Sequence, residues 1–430
     1  MTKLLPPKAH CEMRAYKSSS LPGAGVIPAR LKRPLSKHRR AFQRGFSLIE
    51  LMIAITLGLL IMSGLVSIFV KNSQARSEIE RSNRQIESGR YAMTLLTEDL
   101  RMAGFLAAFD PYGSVIKPNN PPLGAYADPS ATPAVNEPAM TAMPNPCITS
   151  VNPADAPNNL QSSFFFHVQG YDNSATIPSC VSDARAGSDI LVIRRVSTCV
   201  AGPTKESGCD AVISGAPYFQ SSNCYQATEL AKNSGYPASA KDYQAYFVLG
   251  TDTTASAMNR RPLNCTAGTQ ADYRRYLTHI YYVANNNAAG DGIPTLKRAE
   301  LGASGFTIAP LVEGIETLQL EYGIDKNDDG KVDGYTADPN AANCPVGETP
   351  TIALSTTSCW LRTYAVKVNL LARNIEKSPG HTDSKTYTLG LKADGTSNVF
   401  PATGTYGDMY KRHAYNAAVR LDNPSGRRAP

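Results

Sequence analysis

Leu51–Val70, LMIAITLGLLIMSGLVSIFV, is a run of twenty residues without a charge. Nothing else in the chain limits its fold as strongly. At about 1.5 Å of rise per residue such a helix spans about 30 Å, the thickness of a bilayer's hydrocarbon core. Directly before it stands Glu50, and a carboxylate at the centre of a membrane helix costs about 2.5–3.5 kcal/mol. Its place in the chain therefore needs a reason. Charge around the run is lopsided: residues 1–45 carry eleven Lys and Arg against the single acid Glu12, a local balance of +10. Because the whole chain sums to +7, residues 46–430 sum to −3. The positive-inside rule leaves the N-terminus in the cytoplasm and everything after Lys71 across the membrane. A mildly acidic body gives no case for a nucleic-acid binder.

Residues 71–108 contain no proline, and Ile79, Ile86, Met93 and Leu100 recur every seven residues, with Leu96 and Ala103 in companion positions. Glu78, Arg81, Arg84, Glu87 and Arg90 occupy the other faces. This periodicity predicts an amphipathic helix that continues the membrane segment, its stripe packed on the protein's own domain or on a neighbouring subunit. Pro111 is expected to end it, and the eleven prolines of residues 111–160 predict a long irregular connection over 109–160. Beyond lie short β-rich runs at 162–168, 189–196, 243–250, 276–284, 294–301, 315–324, 363–372, 385–391 and 415–421. Several alternate with the two-residue period of a half-buried strand, which predicts a mostly antiparallel sheet in a head spanning 161–430.

Cys11 lies in the basic N-terminal region, whereas Cys147, Cys180, Cys199, Cys209, Cys224, Cys265, Cys344 and Cys359 all follow the apolar run. Eight cysteines beyond a membrane span suit an oxidising compartment and disulfides, and the absence of any CxxC pair argues against zinc. Connectivity is open; Cys199 with Cys209 and Cys344 with Cys359 are the first pairs to expect from their closeness in sequence.

A cleavable secretory signal would place a small-residue site after the apolar run, where VSIFVKNSQARS offers only Ala75, and a lipoprotein would need a cysteine there. A plain anchor leaves Glu50 unexplained. Gly45, Phe46 and then Glu50 four residues on, with the hydrophobic run following, resemble the class III signal of type IV pilins and type II secretion pseudopilins. The resemblance implies that a prepilin peptidase removes the leader 1–45 after Gly45 and methylates the new amine of Phe46, leaving 46–70 as the transmembrane helix. It further implies that Glu50 pairs, in the assembled fibre, with the N-terminal amine of a neighbouring subunit. A buried carboxylate and a buried ammonium are each costly alone and tolerable together.

SGRYAMTLLTEDLRMAGF (88–105), VEGIETLQLEYGID (312–325), YAVKVNLLARN (364–374) and YKRHAYNAAVRLDN (410–423) resemble the PilW-type minor pilins of type IV pili, and the likeness is weakest over 111–270. The implied fold is α+β and type IV pilin-like: a long N-terminal helix, membrane half plus amphipathic half, on a C-terminal, mostly antiparallel β-sheet domain. The implied role is to prime pilus polymerisation at the tip with other minor pilins, the major pilin, the inner-membrane assembly platform and a tip adhesin. Pili of this kind serve twitching motility, cell adhesion and sometimes DNA uptake. The implied location is the bacterial inner membrane, head in the periplasm, and then the pilus at the cell surface. HIYYVANN (279–286) and PTLKRAEL (294–301) also resemble a hairpin of the J-type pseudopilins, which makes a type II secretion pseudopilin the alternative.

DKNDDGKVD (325–333) matches the start of a calcium loop: Asp325, Asn327 and Asp329 alternate, Lys331 can offer its carbonyl, and Asp333 takes the ninth position. Position twelve is Thr336 rather than the usual bidentate glutamate, so weak Ca2+ binding and a solvated Asx-rich turn are both open; no cofactor is required. Catalysis is not expected, since His167, His279, His381 and His413 are widely spaced and neither HExxH nor GxSxG occurs. A membrane-anchored DNA-binding or adhesive protein is a further alternative, in which Arg194, Arg195, Arg274 and Arg275 would line a basic surface.

Overall fold

The computed structural model describes residues 45–109, 142–152, 155, 158–174, 176–204, 206, 209, 211–224, 247–266, 268–326, 329–340, 344 and 356–428. The leader up to residue 44, the connection over 110–141 and Asn327 lie outside the described residues. The chain divides into two compact units, Met1–Ile68 and Phe69–Pro430.

In the first unit the apolar run is helical, as twenty residues without proline or charge favour. It belongs to helix α1 (Leu48–Arg101), which is long and apolar enough to cross a membrane. Residues 45–68 leave every side chain exposed, Phe46 to 88%.

In the second unit α1 ends at Arg101, before the expected 108 and well short of Pro111. Two features stop it. Gly104 adopts φ +69°, a left-handed conformation open to glycine, and its N–H leaves the helix to donate to Arg194 O at 2.9 Å. Asn423 then donates through Nδ2 to the terminal carbonyls of Arg101 and Ala103.

A seven-stranded antiparallel sheet comprises β1 (Val168–Tyr171), β2 (Ile190–Val196), β3 (Tyr218–Ser221), β4 (Phe247–Gly250), β5 (Tyr273–Ala284), β6 (Thr295–Gly302) and β7 (Gly305–Glu313). Its organiser is β5, which pairs β2 over Tyr276–Tyr281, β3 over Tyr273–Arg275 and β6 over His279–Ala284. A second sheet runs β13-β10-β8-β9, from β8 (Ile315–Ile324), β9 (Gly334–Thr336), β10 (Thr363–Arg373) and β13 (Arg412–Arg420). The hairpin β11 (Tyr387–Leu391) and β12 (Ser397–Phe400) forms a separate two-stranded sheet. Short helices α2 (Leu160–Ser163), α3 (Thr356–Leu361) and α4 (Asp422–Arg428) and a 3-10 turn (Asp172–Ser174) complete the described elements. All ten residues of β8 are buried, and one continuous apolar core joins Ala92, Leu96 and Leu100 of α1 to both larger sheets.

The FFF of the run 162–168 differs from the strand expected. Phe164–Phe166 follow α2 as a buried turn and β1 begins only at Val168. Phe164 packs edge-on to Phe247 at 4.9 Å between ring centres, and Phe109 lies 5.4 Å from Phe247 and 5.6 Å from Phe219. Three consecutive aromatics bury more surface in such a cluster than on the alternating faces of a strand.

Candidate assembly site

Gly45 and Phe46 precede α1, and beyond its two chain neighbours no described residue lies within 4 Å of where a Cβ on Gly45 would stand. Ser47 follows, and its backbone N–H donates to Glu50 Oε2 at 3.0 Å. Ser-x-x-Glu at the head of a helix is the spacing of a capping box, in which the glutamate reaches back over the first turn. Glu50 thus has a local use, satisfying one of the donors that a helix start leaves without a partner. Its negative charge also suits the positive end of the helix dipole.

Within the second unit, α1 docks through Gln85, Gly89, Ala92, Leu96, Asp99 and Leu100. The C-terminal end of the expected stripe docks, with Leu96, Leu100 and Ala103 fully buried, whereas towards the N-terminus the seam moves to Gln85 and Gly89: Ile86 and Met93 are half-buried and Ile79 is 61% exposed. The facing surfaces explain the shift. Gln85 donates through Nε2 to the carbonyls of Ala372 (2.9 Å) and Lys411 (3.0 Å). Gly89 meets the Tyr415 ring so closely that a Cβ would stand 2.2 Å from a ring carbon.

Asp99 is the centre of the seam. Its Oδ1 accepts from Arg195 Nε at 2.7 Å, while its Oδ2 accepts from Tyr281 OH at 2.9 Å and faces His279 Nδ1 at 2.5 Å. Burial pushes the carboxyl up, but the hydrogen bond and charge of His279 and then those of Arg195 outweigh it and hold Asp99 well below the usual carboxylate range. Behind His279 stands Glu300, whose carboxylate pairs with Arg298 at 2.8 Å and Arg275 at 3.3 Å. One helical carboxylate therefore holds β2 and β5 together beneath α1. A second buried hub centres on Arg412, which pairs with Glu316 at 2.5 Å, Asp408 at 2.7 Å and Asp383 at 3.0 Å, and lies 3.5 Å from the Tyr406 ring centre. Neither hub shows in an apolar-periodicity reading, because each is built from scattered charges that only the strand register brings together.

The remaining candidates sort by their partners. The eight cysteines form Cys147–Cys180, Cys199–Cys209, Cys224–Cys265 and Cys344–Cys359. His167 is buried with Nε2 2.6 Å from Thr363 O, and His279 belongs to the Asp99 hub. The four arginines do not line one basic surface. Arg194 is buried and donates to Phe166 O and Gln169 Oε1, Arg195 is held by Asp99, Arg274 donates to Thr198 O, and Arg275 pairs with Glu300.

In the acidic loop, Asp325 is buried and accepts from Gly330 N at 2.7 Å, Asp333 from Lys326 N at 2.7 Å, and Asp329 from Lys331 N at 2.8 Å. Lys331 also sets its ammonium 3.5 Å from Asp329. The Asp329 bond is an Asx-turn, and the other two close the loop on itself over five and seven residues. Among the described residues no group of three or more His, Cys, Asp or Glu is disposed to hold a metal ion.

Comparison with known families gives two matches. Residues 40–66 match the prokaryotic N-terminal methylation motif, which takes in Gly45, Phe46, Glu50 and the start of the apolar helix. Residues 280–423 match the type IV pilus-assembly protein W family, from β5 through β13. No curated protein and no solved structure matches the chain. A methylation motif at the head of a long apolar helix and a PilW match that takes in the end of β5 and all of β6–β13 together support a pilin of the PilW type.

Proposed function

We propose that the protein is a minor subunit of a type IV pilus, processed after Gly45, methylated on Phe46, and working with other minor pilins to prime polymerisation and form part of the tip complex. The observation that carries this reading is the coexistence, in one chain, of the methylation motif and the PilW region. The protein's work is structural: the buried polar groups around α1 serve docking of helix to head, and no reaction is assigned to them. Partners follow from that role: the prepilin peptidase, other minor pilins, the major pilin, the assembly platform and a tip adhesin. Before assembly the chain is held in the inner membrane by α1 with its head in the periplasm.

Glu50 carries the assembly step. Its carboxylate, capped in the free chain by the Ser47 amide, exchanges that partner for the amine of a neighbouring subunit. The test is the intact mass and N-terminal sequence of membrane-expressed protein with and without the peptidase, together with pilus counts for Glu50→Ala. The expected results are a methylated Phe46 that depends on the peptidase, and a processed, stable Glu50→Ala chain that fails to restore piliation. An uncut chain removes the pilin role, full piliation by Glu50→Ala removes the role of the glutamate, and loss of type II secretion in place of pili assigns the subunit to a secretion pseudopilus.

A further inference from the structure

A cleft of about 650 Å³ opens beside the end of β1 and α3. That volume falls within the range of about 300–1,000 Å³ usual for small-ligand sites. Residues 143–146 and 176–179 form one part of its lining, and the Cys147–Cys180 disulfide joins them directly. Asp338, after β9, and Thr356 and Trp360 of α3 form another, with the Cys344–Cys359 disulfide anchoring α3 next to Trp360. Residues 169–171 of β1 complete it. Two covalent staples thus shape the cleft before any ligand arrives, which lowers the ordering cost of binding. Only the part on Asp338 and α3 falls within the 280–423 matched to the PilW family.

Buried residues behind the cleft fix its polar groups. Arg194 donates to Gln169 Oε1 at 2.8 Å, which orients the amide so that Gln169 Nε2 donates to Pro144 O at 3.0 Å and to Tyr171 OH at 2.9 Å. The Tyr171 oxygen accepts that bond, and its own hydrogen goes to no described residue. Trp360 is 4% exposed and stands edge-on to Tyr322 at 4.6 Å between ring centres. The Tyr322 hydroxyl in turn lies against Gly170, where a Cβ would collide with it. A buried indole N–H ordinarily finds an acceptor, yet that of Trp360 has none among the described residues. Asn145 spends its Oδ1 on Cys147 N at 3.0 Å and keeps its amide hydrogens, while Asp338 takes Asn340 on Oδ2 and keeps Oδ1.

No Lys, Arg or His lines the cleft, and Asp338 is the only charged residue in the lining. A phosphate, a nucleic acid or an acidic peptide would meet a carboxylate with no cation to balance it. One carboxylate is also too few to hold a metal ion. Donors and acceptors stand side by side, between aromatic and proline surface, and they match a ligand whose hydroxyls each donate and accept. We propose that this cleft binds a neutral saccharide of one or two units. The Tyr171 hydroxyl and the Trp360 N–H donate to its oxygens, and Asp338 accepts from one of its hydroxyls. The proposal goes beyond the pilin reading and does not rest on it.

Trp360 is the only tryptophan of the chain, so its emission reports on this cleft. The experiment titrates the full-length processed protein, in a zwitterionic detergent free of sugar, with lactose, diacetylchitobiose and mannobiose to tens of millimolar. Tryptophan emission and calorimetric heat are both read, with sialyllactose and a proline-rich peptide as controls. At least one neutral disaccharide should give a saturable change in emission matched by heat. Tyr171→Phe, which keeps the ring and removes the donor, should weaken that binding about fivefold. Asn145→Ala, at an exposed position, should weaken it too and serves if Tyr171→Phe disturbs the fold. Silence of all three sugars in both readouts overturns the proposal. Heat without a change in emission, or an affinity unchanged in both variants, places the sugar elsewhere and overturns it as well. A response to the peptide alone would make the cleft a peptide site, and a response to sialyllactose without lactose would contradict the charge argument. All these outcomes concern the head and leave the reading of the chain as a pilin untouched.

Discussion

The two halves of α1 obey different rules although they are one helix. From Leu51 to Val70 every side chain is exposed and apolar or small. From Gln85 to Leu100 the buried face includes a glutamine, a glycine and an aspartate as well as Ala92, Leu96 and Leu100. The first half is specified by composition, which lipid or the helices of other subunits can satisfy without regard to register. The second half is specified by recognition: carbonyls, a tyrosine ring and a cationic pair each demand one residue type at one position. A shift of one residue along the seam would take Asp99 away from Arg195, His279 and Tyr281 and leave its buried carboxylate without those partners.

Asp99→Ala should break the docked half most severely. It removes the shared acceptor and leaves Arg195 and His279 under the helix, a loss of about 3–5 kcal/mol by analogy with other broken buried pairs, read as a drop in the denaturant midpoint of the detergent-solubilised chain. The same residue sets an acid limit. Because the folded carboxyl is held below its unfolded value of about 3.9, its contribution is complete above that pH and is lost as pH falls towards the folded value. Asp99→Asn should therefore flatten the acid limb of the stability profile, and an unchanged limb would show that other carboxylates govern it.

Gly89→Ala tests the close approach to Tyr415. Overpacking of this kind costs about 1–3 kcal/mol, and Tyr415→Ala should recover much of it in the double variant. Additive losses would mean that helix and ring can move apart. A smaller effect is expected of Gln85→Ala, which leaves two carbonyls without their buried donor, at about 1–2 kcal/mol by thermal unfolding. Ile79→Ser should change the stability of the head by less than about 0.5 kcal/mol, since its side chain is 61% exposed. A large loss there would restore the apolar stripe as the docking face and erase the contrast between the halves.

Strands with clear alternation were legible in the sequence. The runs at 189–196, 276–284, 294–301, 315–324 and 363–372 lie on β2, β5, β6, β8 and β10, because β-branched and aromatic residues in a two-residue period suit a pleated surface. β7 was not legible. Pro310 sits inside it and glycines bound its turn, and a strand tolerates that proline because it lies at the sheet edge, pairing only β6. β8 was legible as a strand but not as a fully buried one. Its polar residues find partners across space: Gln319 accepts from Asn398 at 2.6 Å and Glu321 pairs with Lys367 at 3.3 Å. Gly45, Phe46 and Glu50 stood out because their meaning is local spacing, whereas Asp99, Arg195 and His279 are 84 or more residues apart and share no motif.

By itself the sequence determined the membrane-length helix, the processing motif in front of it, the oxidised β-rich head and the family likeness. Each depends on neighbours within a few turns of chain or on composition, and short-range order survives without knowledge of the fold. Two of the four disulfides, Cys199–Cys209 and Cys344–Cys359, were also to be expected from closeness in sequence. The tertiary structure alone decided where the docking face of α1 runs, where the helix stops, how Cys147, Cys180, Cys224 and Cys265 pair and which charges are buried together. Those outcomes are set by strand register and by the docking of α1 on the sheet, which bring residues about a hundred positions apart within 3 Å of one another, as Arg195 and Asp99 are at 2.7 Å. A buried charge is stable only where that register supplies its partner.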